Sequence, residues 1–422
     1  MTYLEKMFKF PNLSNIFSFG SATLISSALS FVLGVVSRNI LGPEQYGYWV
    51  SLSMAFTFIP LLQFGVLNAM NREIPYYIAR NSIEEVDRIR QKVFSYLITV
   101  PIFLILLLSF FSLFVYKSNI ASEYKVGSFF IIFIGVLLFL SAYVEMYYKS
   151  IQDFKSVSKL ITAKGVAQSV LSIIFILLLG FSGLFLGMMA GLIIEIIMGR
   201  KAFSKMKFIL DFRYQNYVPL IKIGFPILMV GLIWSVLIAT DKIILTITMD
   251  SSALGNYSVA LLVFSTMMLL PQVISQVYYP KIVTMVSKGE YQQIIQSYKR
   301  VNLVLLVISI IVVLVGLLLL PPIISLLMPE YEGGIFSAQI LLVGLIPLTL
   351  VNYAANYFNA THNQKLYIKI LVVCIVVNIV SSILLLLIKL DIYMVAVGTS
   401  ASFLLYSILM NLFFWKIIKK VK

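Results

Sequence analysis

Residues 213–260 read RYQNYVPLIKIGFPILMVGLIWSVLIATDKIILTITMDSSALGNYSVA, and this stretch decides the fold. A cationic lead-in is followed by an apolar run from Ile223 to Ala239, and the adjacent charges Asp241 and Lys242 interrupt its outer part. A short Asp/Ser/Gly loop then leads into a second apolar run. Ionisable groups inside hydrocarbon are costly, so this charged pair is a candidate for a function.

The whole chain has the composition of a membrane protein. Its 422 residues are 60% hydrophobic and 12% charged, with a mean hydropathy of +0.99, whereas soluble domains carry about 25% charged residues. Apolar runs long enough to cross a hydrocarbon core of about 30 Å recur throughout. They predict an all-α polytopic membrane protein with twelve transmembrane helices, at about 15–39, 47–71, 93–116, 127–148, 158–180, 183–200, 218–246, 255–279, 299–320, 334–360, 366–388 and 392–415.

The positive charge is distributed as the positive-inside rule requires. With the N-terminus inside, 27 of the 32 Lys and Arg residues fall in inner segments. The outer side keeps only five, namely Arg38, Lys117, Lys125, Lys242 and Lys389. This asymmetry sets the orientation and predicts that both termini are cytoplasmic. The net charge of +15 is therefore a topology signal that also favours anionic membrane lipids, and nucleic acid is not expected as a partner.

The predicted spans divide into two sets of six. The longest inner linker, about 200–217, separates them, so we expect six-helix bundles at 1–207 and 208–422. Each half runs a small-residue-rich helix into a charged outer end, then a Gly-containing loop, then a helix opened by Tyr48 or Tyr257. Because each half has an even number of spans, the repeat is parallel, with a pseudo-twofold axis along the membrane normal. The first apolar segment is too long for a signal peptide and is expected to be a retained helix.

Nothing in the sequence indicates catalysis. The chain has a single cysteine, Cys374, and a single histidine, His362, so neither a disulfide within one chain nor a Cys/His metal site is expected. There is no phosphate-binding GxxxxGK[ST] loop. We therefore predict a non-enzymatic protein without a cofactor, which acts in or across the bilayer.

The charged groups inside the predicted spans have two interpretations each. In the first, Lys242 extends to the outer interface while Asp241 caps the helix or pairs locally; in the second, one or both face a central cavity. In the second case the lysine attracts an anionic ligand, and the aspartate orients that ligand or binds a coupling cation. Arg38 has the same alternatives. Glu145 and Glu195 lie near inner helix ends, where pairing with Lys149 or Arg200 competes with a role in ion coupling.

Amide side chains form a further candidate surface. Asn352, Asn356 and Asn359 share one helix face by their spacing, and Tyr357 lies beside it. Such a face fits helix–helix hydrogen bonding or contact with a sugar.

Another pair of amides and two prolines complete the candidates. Gln272 and Gln276 lie four residues apart in the predicted span 255–279. Pro226 and Pro280 lie near the inner ends of predicted helices and are candidate hinges.

Six segments resemble the polysaccharide-unit flippases, a branch of the superfamily that includes the multidrug and toxin extruders. The segments are RNILGPEQYGYW (38–49), FGVLNAMNREI (64–74), LIKIGFPI (220–227), ATDKIIL with ALGNYSVA (239–260), VYYPKI (277–282) and LLMPEYEGG (326–334). They occur in the order of the family's landmarks and cover most of the chain.

The resemblance implies a flippase of the bacterial cytoplasmic membrane. Such a protein moves a polyprenyl-diphosphate-linked oligosaccharide to the outer leaflet by alternating access, for O-antigen, lipopolysaccharide or capsule synthesis. Arg38, Asp241 and Lys242 are the charged positions that match the motifs, and a polymerase and chain-length proteins are the implied partners. An ion-coupled multidrug-type antiporter and a non-transporting scaffold are the competing hypotheses.

Overall fold

A computed structural model describes residues 13–421 apart from 205, 208 and 362, and its side chains from residue 25 onward except at some helical positions, 272–277 and 280 among them. All secondary structure in this part of the chain is helical. The helices are α1 (Leu13–Phe58), α2 (Val66–Ala79), α3 (Ile83–Lys117), α4 (Ser122–Ser150), α5 (Phe154–Leu179), α6 (Ser182–Met198), α7 (Val218–Thr248), α8 (Ser251–Met267), α9 (Leu269–Ser287), α10 (Tyr291–Leu327), α11 (Ile335–Thr349), α12 (Asn352–Ala360), α13 (Gln364–Ile388) and α14 (Ile392–Val421). Short 3-10 turns lie at Ile59–Gln63, Arg200–Phe203, Tyr214–Asn216 and Pro329–Gly334.

Nine helical stretches within the described residues are long and apolar enough to cross a bilayer. They are Ile25–Gln63, Ile83–Lys117, Ser122–Ser150, Phe154–Leu179, Val218–Thr248, Tyr291–Leu327, Pro329–Thr349, Gln364–Ile388 and Ile392–Lys420. The first stretch contains two of the predicted spans. Two further predicted spans, 183–200 and 255–279, correspond to the short helix α6 and to the pair α8 and α9, which are not among the nine stretches. The all-α fold class is confirmed, while a count of twelve crossings and two six-helix bundles stay predictions.

The first long helix is broken where the sequence analysis placed the outer end of the first span. Gly42 has φ 70° and ψ 171°, a conformation that side chains other than glycine disfavour. Pro43 follows, and its fixed φ and missing N–H suit the first position of the helical segment that runs on to Phe58. The sequence GPEQYG thus marks a helix end and a helix start in immediate succession.

Helix boundaries recur along the chain at a nearly constant offset. Ile83 and Tyr291 begin α3 and α10, 208 residues apart. The starts of α5 and α13, and of α6 and α14, are each 210 residues apart. The internal repeat expected from the sequence therefore has a counterpart in the order and spacing of the helices.

The chain divides into two compact units at positions that differ from the sequence-based boundary. Unit 1 contains Met1–Leu41 and Leu52–Leu232, and unit 2 contains Gly42–Ser51 and Ile233–Lys422. A short segment of the first half, including Pro43 and Gly47, is thus packed in the unit formed by the second half. The boundary of 207/208 stays a prediction.

Two glycines allow this segment to pack directly against the backbone of α8 within unit 2. A Cβ at Gly47 would lie 1.7 Å from the carbonyl oxygen of Ser251, and a Cβ at Gly255 would lie 1.8 Å from that of Pro43. Gly47 thus faces the carbonyl of the residue four positions before Gly255, and Gly255 faces the carbonyl of the residue four positions before Gly47. The contact is reciprocal and leaves no room for any side chain.

Glycines also set the closest contacts in unit 1. A Cβ at Gly183, Gly187 or Gly191 of α6 would come within 3.0 Å of the backbone of α5. These small residues therefore allow α5 and α6 to pack closely. Near the start of α7, a Cβ at Gly224 would lie 1.7 Å from the carbonyl oxygen of Gly65.

We predict that Gly47→Ala and Gly255→Ala destabilise the protein, because the added methyl group forces the two backbones apart. Overpacking of this kind costs about 1–3 kcal/mol, so the midpoint of thermal unfolding in detergent should fall by several degrees. Gly231→Ala is the matched control, because a Cβ at Gly231 meets nothing within 4 Å. Equal unfolding midpoints for the three variants would contradict the interpretation.

Candidate functional site

Asp241 of α7 is the centre of a buried polar cluster in unit 2. Its side chain is 3% exposed. One carboxylate oxygen accepts a hydrogen bond from the hydroxyl of Tyr257 on α8 at 2.5 Å, and the other accepts one from Thr399 on α14 at 2.6 Å. The carboxylate is therefore held by neutral hydroxyl groups from two other helices, and not by the adjacent Lys242.

A second layer of polar groups lies behind Thr399. The amide oxygen of Asn378 on α13 lies 3.2 Å from the Thr399 hydroxyl and accepts a hydrogen bond from Ser382 at 3.1 Å. Asn378 and Ser382 are fully buried, and the amide nitrogen of Asn378 has no hydrogen-bond partner among the described residues. Helices α7, α8, α13 and α14 thus contribute one carboxylate, three hydroxyls and one amide.

This cluster has the chemistry of a site for a proton or a small monovalent cation. All its ligand atoms except the amide nitrogen are oxygens, which suit hard cations. The described part of the chain contains no group of three or more His, Cys, Asp or Glu side chains that could hold a metal ion. A single carboxylate buried among neutral groups is uncompensated when ionised, and such a charge is costly unless a proton or a cation neutralises it.

Lys242 follows Asp241 but does not pair with it. Adjacent helical residues project about 100° apart, and among the described charged groups no carboxylate lies within ion-pair distance of the Lys242 ammonium. The side chain is partly buried. No ion pair thus joins Asp241 and Lys242, and contact between the Lys242 ammonium and an anion stays a prediction.

Arg38 is buried, and its side chain runs back along its own helix. Its side chain is 3% exposed, and one guanidinium nitrogen donates a hydrogen bond to the carbonyl of Gly34 at 2.7 Å. Because Gly34 lies one turn earlier in α1, the guanidinium folds back along its own helix. Its role as an anchor or a ligand stays a prediction.

The three asparagines of the expected amide face lie on α12 and are partly exposed, whereas Tyr357 is buried. Asn352 and Asn356 are partly exposed, and the side-chain amide of Asn352 donates to the carbonyl of Thr349 at 2.9 Å. Tyr357 is 1% exposed, and its ring packs against Phe414 with the ring centroids 5.0 Å apart. Residues 356 and 357 project in different directions on the helix, so the tyrosine belongs to the core.

Three further candidates have side chains that lie outside the described residues, namely Gln272, Gln276 and Pro280. Pro226 lies inside α7, which continues past it from Val218 to Thr248. The hinge role of both prolines stays a prediction.

Glu145 and Glu195 belong to a charge-balanced network in unit 1. Glu195 on α6 is 0% exposed, accepts a hydrogen bond from Ser141 on α4, and forms an ion pair with Lys164 on α5 at 3.0 Å. Glu145 pairs with Lys149 at 2.5 Å and lies 3.9 Å from Lys164. Two carboxylates and two ammonium groups thus join three helices.

The pairing expected from the sequence holds for one of the two glutamates. Glu145 pairs with Lys149, as expected. Glu195 pairs with Lys164 instead of Arg200. A Cβ at Gly191 would lie 3.0 Å from the Lys164 carbonyl, so the close glycine contact between α5 and α6 brings the lysine within reach of Glu195, one turn farther along α6.

Sequence reasoning missed the partners of the buried acids. Thr399 lies 158 residues from Asp241, and Ser141 lies 54 residues from Glu195. One signal was available, because Asn378 is an isolated amide within the apolar run VVCIVVNIVSSILLLL. A polar side chain in such a run usually faces other helices rather than lipid.

Comparison with solved structures identifies the fold. A multidrug resistance MATE family transporter of the MOP superfamily, in an inward-facing conformation, matches with a TM-score of 0.76 and 13% identity over 94% of this chain and 95% of that one. The lipid II flippase MurJ, in an inward closed conformation, matches with a TM-score of 0.76 and 17% identity, over 96% of this chain and 89% of that one. A mutant of the Vibrio cholerae MATE transporter VcmN matches with a TM-score of 0.62 and 15% identity, over 99% of this chain and 96% of that one.

At these identities the likeness to solved structures concerns the fold. No curated protein sequence matches the chain significantly. The family model described as polysaccharide biosynthesis protein matches residues 13–286, which is more than half of the 422 residues. The chain is therefore a multi-pass membrane protein that belongs to the polysaccharide biosynthesis protein family.

Proposed function

We propose that this protein is a flippase that moves a polyprenyl-diphosphate-linked oligosaccharide unit from the inner to the outer leaflet for surface polysaccharide synthesis, by alternating access. The observation that carries the proposal is membership of the polysaccharide biosynthesis protein family over residues 13–286. The fold that the chain shares with the lipid II flippase MurJ supports it. O-antigen, lipopolysaccharide or capsule units are the substrates we propose, and a polymerase with its chain-length protein would receive them.

The charged and amide side chains would divide the recognition of the substrate between them. Lys242, an ammonium group without a carboxylate within ion-pair distance among the described residues, would meet the diphosphate. Arg38 belongs to the other unit and stays a candidate from the sequence alone. Asn352 and Asn356 would hydrogen-bond sugar hydroxyls, since amides donate and accept. Gln272 and Gln276 are assigned to the same role from the sequence alone.

Asp241 is the best candidate for coupling transport to an ion gradient. Its carboxylate accepts hydrogen bonds from the hydroxyls of Tyr257 and Thr399 and forms no ion pair with a described residue, so a proton or a small cation would neutralise it. Glu145 and Glu195 are already paired with lysines. A carboxylate that already has a permanent cationic partner gains less from binding a transported cation, which favours Asp241 for this role.

The flippase assignment is tested by transport of a fluorescent polyprenyl-diphosphate-linked oligosaccharide in proteoliposomes. Lys242→Ala should lower the initial rate about tenfold or more, because a charge-assisted hydrogen bond contributes about 1.5–3 kcal/mol. Lys242→Arg should keep most of the activity. Lys389→Ala, at an exposed lysine that pairs with Asp391 at 3.4 Å, is the matched control. If Lys242→Ala transports at the rate of Lys389→Ala, the lysine does not bind substrate.

We predict that Asp241→Asn abolishes the response to an imposed proton or sodium gradient, because asparagine has the shape of aspartate and cannot change its charge. Initial rates should be measured with and without each gradient at equal protein content. Asp391→Asn serves as the control, since Asp391 pairs with Lys389 in an outer loop. An unchanged gradient response in Asp241→Asn would remove this residue from the coupling mechanism.

The ion pair between Lys164 and Glu195 is predicted to act on stability rather than on coupling. Lys164→Met leaves a buried carboxylate without its partner and should cost about 3–5 kcal/mol, whereas Lys164→Met combined with Glu195→Gln should recover much of the loss. Thermal unfolding in detergent measures both effects. Equal unfolding midpoints for the single and double variants would show that the pair is not coupled.

The multidrug-type antiporter is the second candidate function, favoured by the equally high TM-score of the MATE transporter. Its substrates would be cationic, so it requires an acidic binding site. Robust gradient-dependent export of cationic dyes, together with no transport of the lipid-linked oligosaccharide, would overturn the flippase proposal.

A further inference from the structure

The linker between the two halves, about 200–217, is fastened along one side of α3. The guanidinium of Arg90 donates to the carbonyls of Ala202 and Ser204 at 3.1 and 3.3 Å. The side chain of Gln91 makes two hydrogen bonds to the backbone of Lys207, at 2.7 and 2.8 Å. These contacts fix the first half of the linker at the level of residues 90 and 91.

The second half of the linker follows α3 towards the membrane. The backbone N–H of Asp211 lies 3.4 Å from the hydroxyl oxygen of Thr99, and the ring of Tyr217 packs on Tyr96 with the centroids 4.9 Å apart. Residues 91 and 99 are separated by about 12 Å along a helix. The linker therefore extends along α3 in the direction of the bilayer.

Thr99 lies within the apolar part of α3. Residues 93–116 contain no Asp, Glu, Lys, Arg or His. The central 20 residues of this run, about 95–114, would cover a hydrocarbon core of about 30 Å. The part of the linker beside Thr99 is thus close to the boundary between headgroups and acyl chains.

Three neighbouring side chains that the linker exposes at this level are apolar, and the exposed Arg213 follows them. Phe212 is 69% exposed, and Ile209 and Leu210 are exposed as well. Asp211 between them forms an ion pair with Arg213 at 3.3 Å and accepts a hydrogen bond from Asn216. The backbone N–H of Arg213 and the Asn216 amide lower the pKa of Asp211, so its carboxylate is ionised at neutral pH beside the Arg213 guanidinium.

We propose that Lys207 and residues 209–213 form a membrane-interface segment that inserts Ile209, Leu210 and Phe212 into the inner leaflet. Lys207 is exposed at the level of Gln91, where the segment meets the phosphate groups of anionic lipids. An aromatic and two aliphatic side chains next to cations are typical of segments that lie at this boundary. The exposed side chains of α3 farther along, Phe103 and Leu106, continue the same apolar surface.

The proposal is independent of the transported substrate, and depth measurements test it directly. Nitroxide labels are attached at Leu210→Cys and Phe212→Cys in a Cys374→Ser background, with the protein in vesicles of phosphatidylethanolamine and phosphatidylglycerol. Collision with oxygen and with a water-soluble nickel complex reports depth. We expect both labels to favour oxygen several-fold relative to Lys201→Cys, an exposed water reference, and to approach Leu106→Cys, a lipid reference on α3.

Two results would overturn the proposal. The first is a label at 212 that collides with the nickel complex as often as the label at 201 does. The second is a label that is exposed to water in vesicles and becomes protected only when cytoplasmic protein is added, which would indicate a protein partner. Gln91→Ala gives an independent check, because releasing Lys207 should reduce the depth of both labels while leaving the reference at 106 unchanged.

Discussion

The reciprocal contact between Gly47 and Gly255 is the constraint on which the packing of unit 2 depends. Two helix starts approach until each glycine meets a carbonyl oxygen of the other segment. No attraction of side chains can produce such a distance, because the side chains themselves would prevent it. In lipid, where the hydrophobic effect does not drive helices together, close backbone packing is a main source of association. The positive φ of Gly42, one residue before Pro43, directs the chain into this contact.

Buried charge is handled differently in the two units. In unit 1, Glu145 and Glu195 are compensated by Lys149 and Lys164, so the network joins α4, α5 and α6 without leaving a net charge. In unit 2, Asp241 has only neutral partners on α8 and α14. A carboxylate that is paired with a lysine gains less from binding a cation than one whose hydrogen-bond partners are all neutral. Buried acidic residues therefore join helices in one unit, and the proposal of an exchangeable site rests on Asp241 in the other.

The sequence was sufficient for properties that depend on composition along the chain. Hydropathy predicted the helices, and Gly42 with Pro43 marked the break in α1. The sequence was insufficient where the role of a residue depends on partners that are distant along the chain. The hydroxyl of Thr399 reaches Asp241 from 158 positions away, and no local pattern indicates this partner. Tyr357 was misassigned for a related reason, because the position of Phe414 decides whether that ring faces a cavity or the core.

A fold shared with multidrug transporters and a lipid II flippase does not by itself select a substrate, so the selection must come from charge. A site for cationic drugs needs acidic groups that are available to the drug. The acids buried in the described helices are not exposed to such a drug, because Glu195 pairs with Lys164 and Asp241 is only 3% exposed. Lys242, by contrast, has no acidic partner among the described residues. A lysine without an ion-pair partner, beside a carboxylate that is hardly exposed, is the arrangement on which the proposal of an anionic headgroup rests.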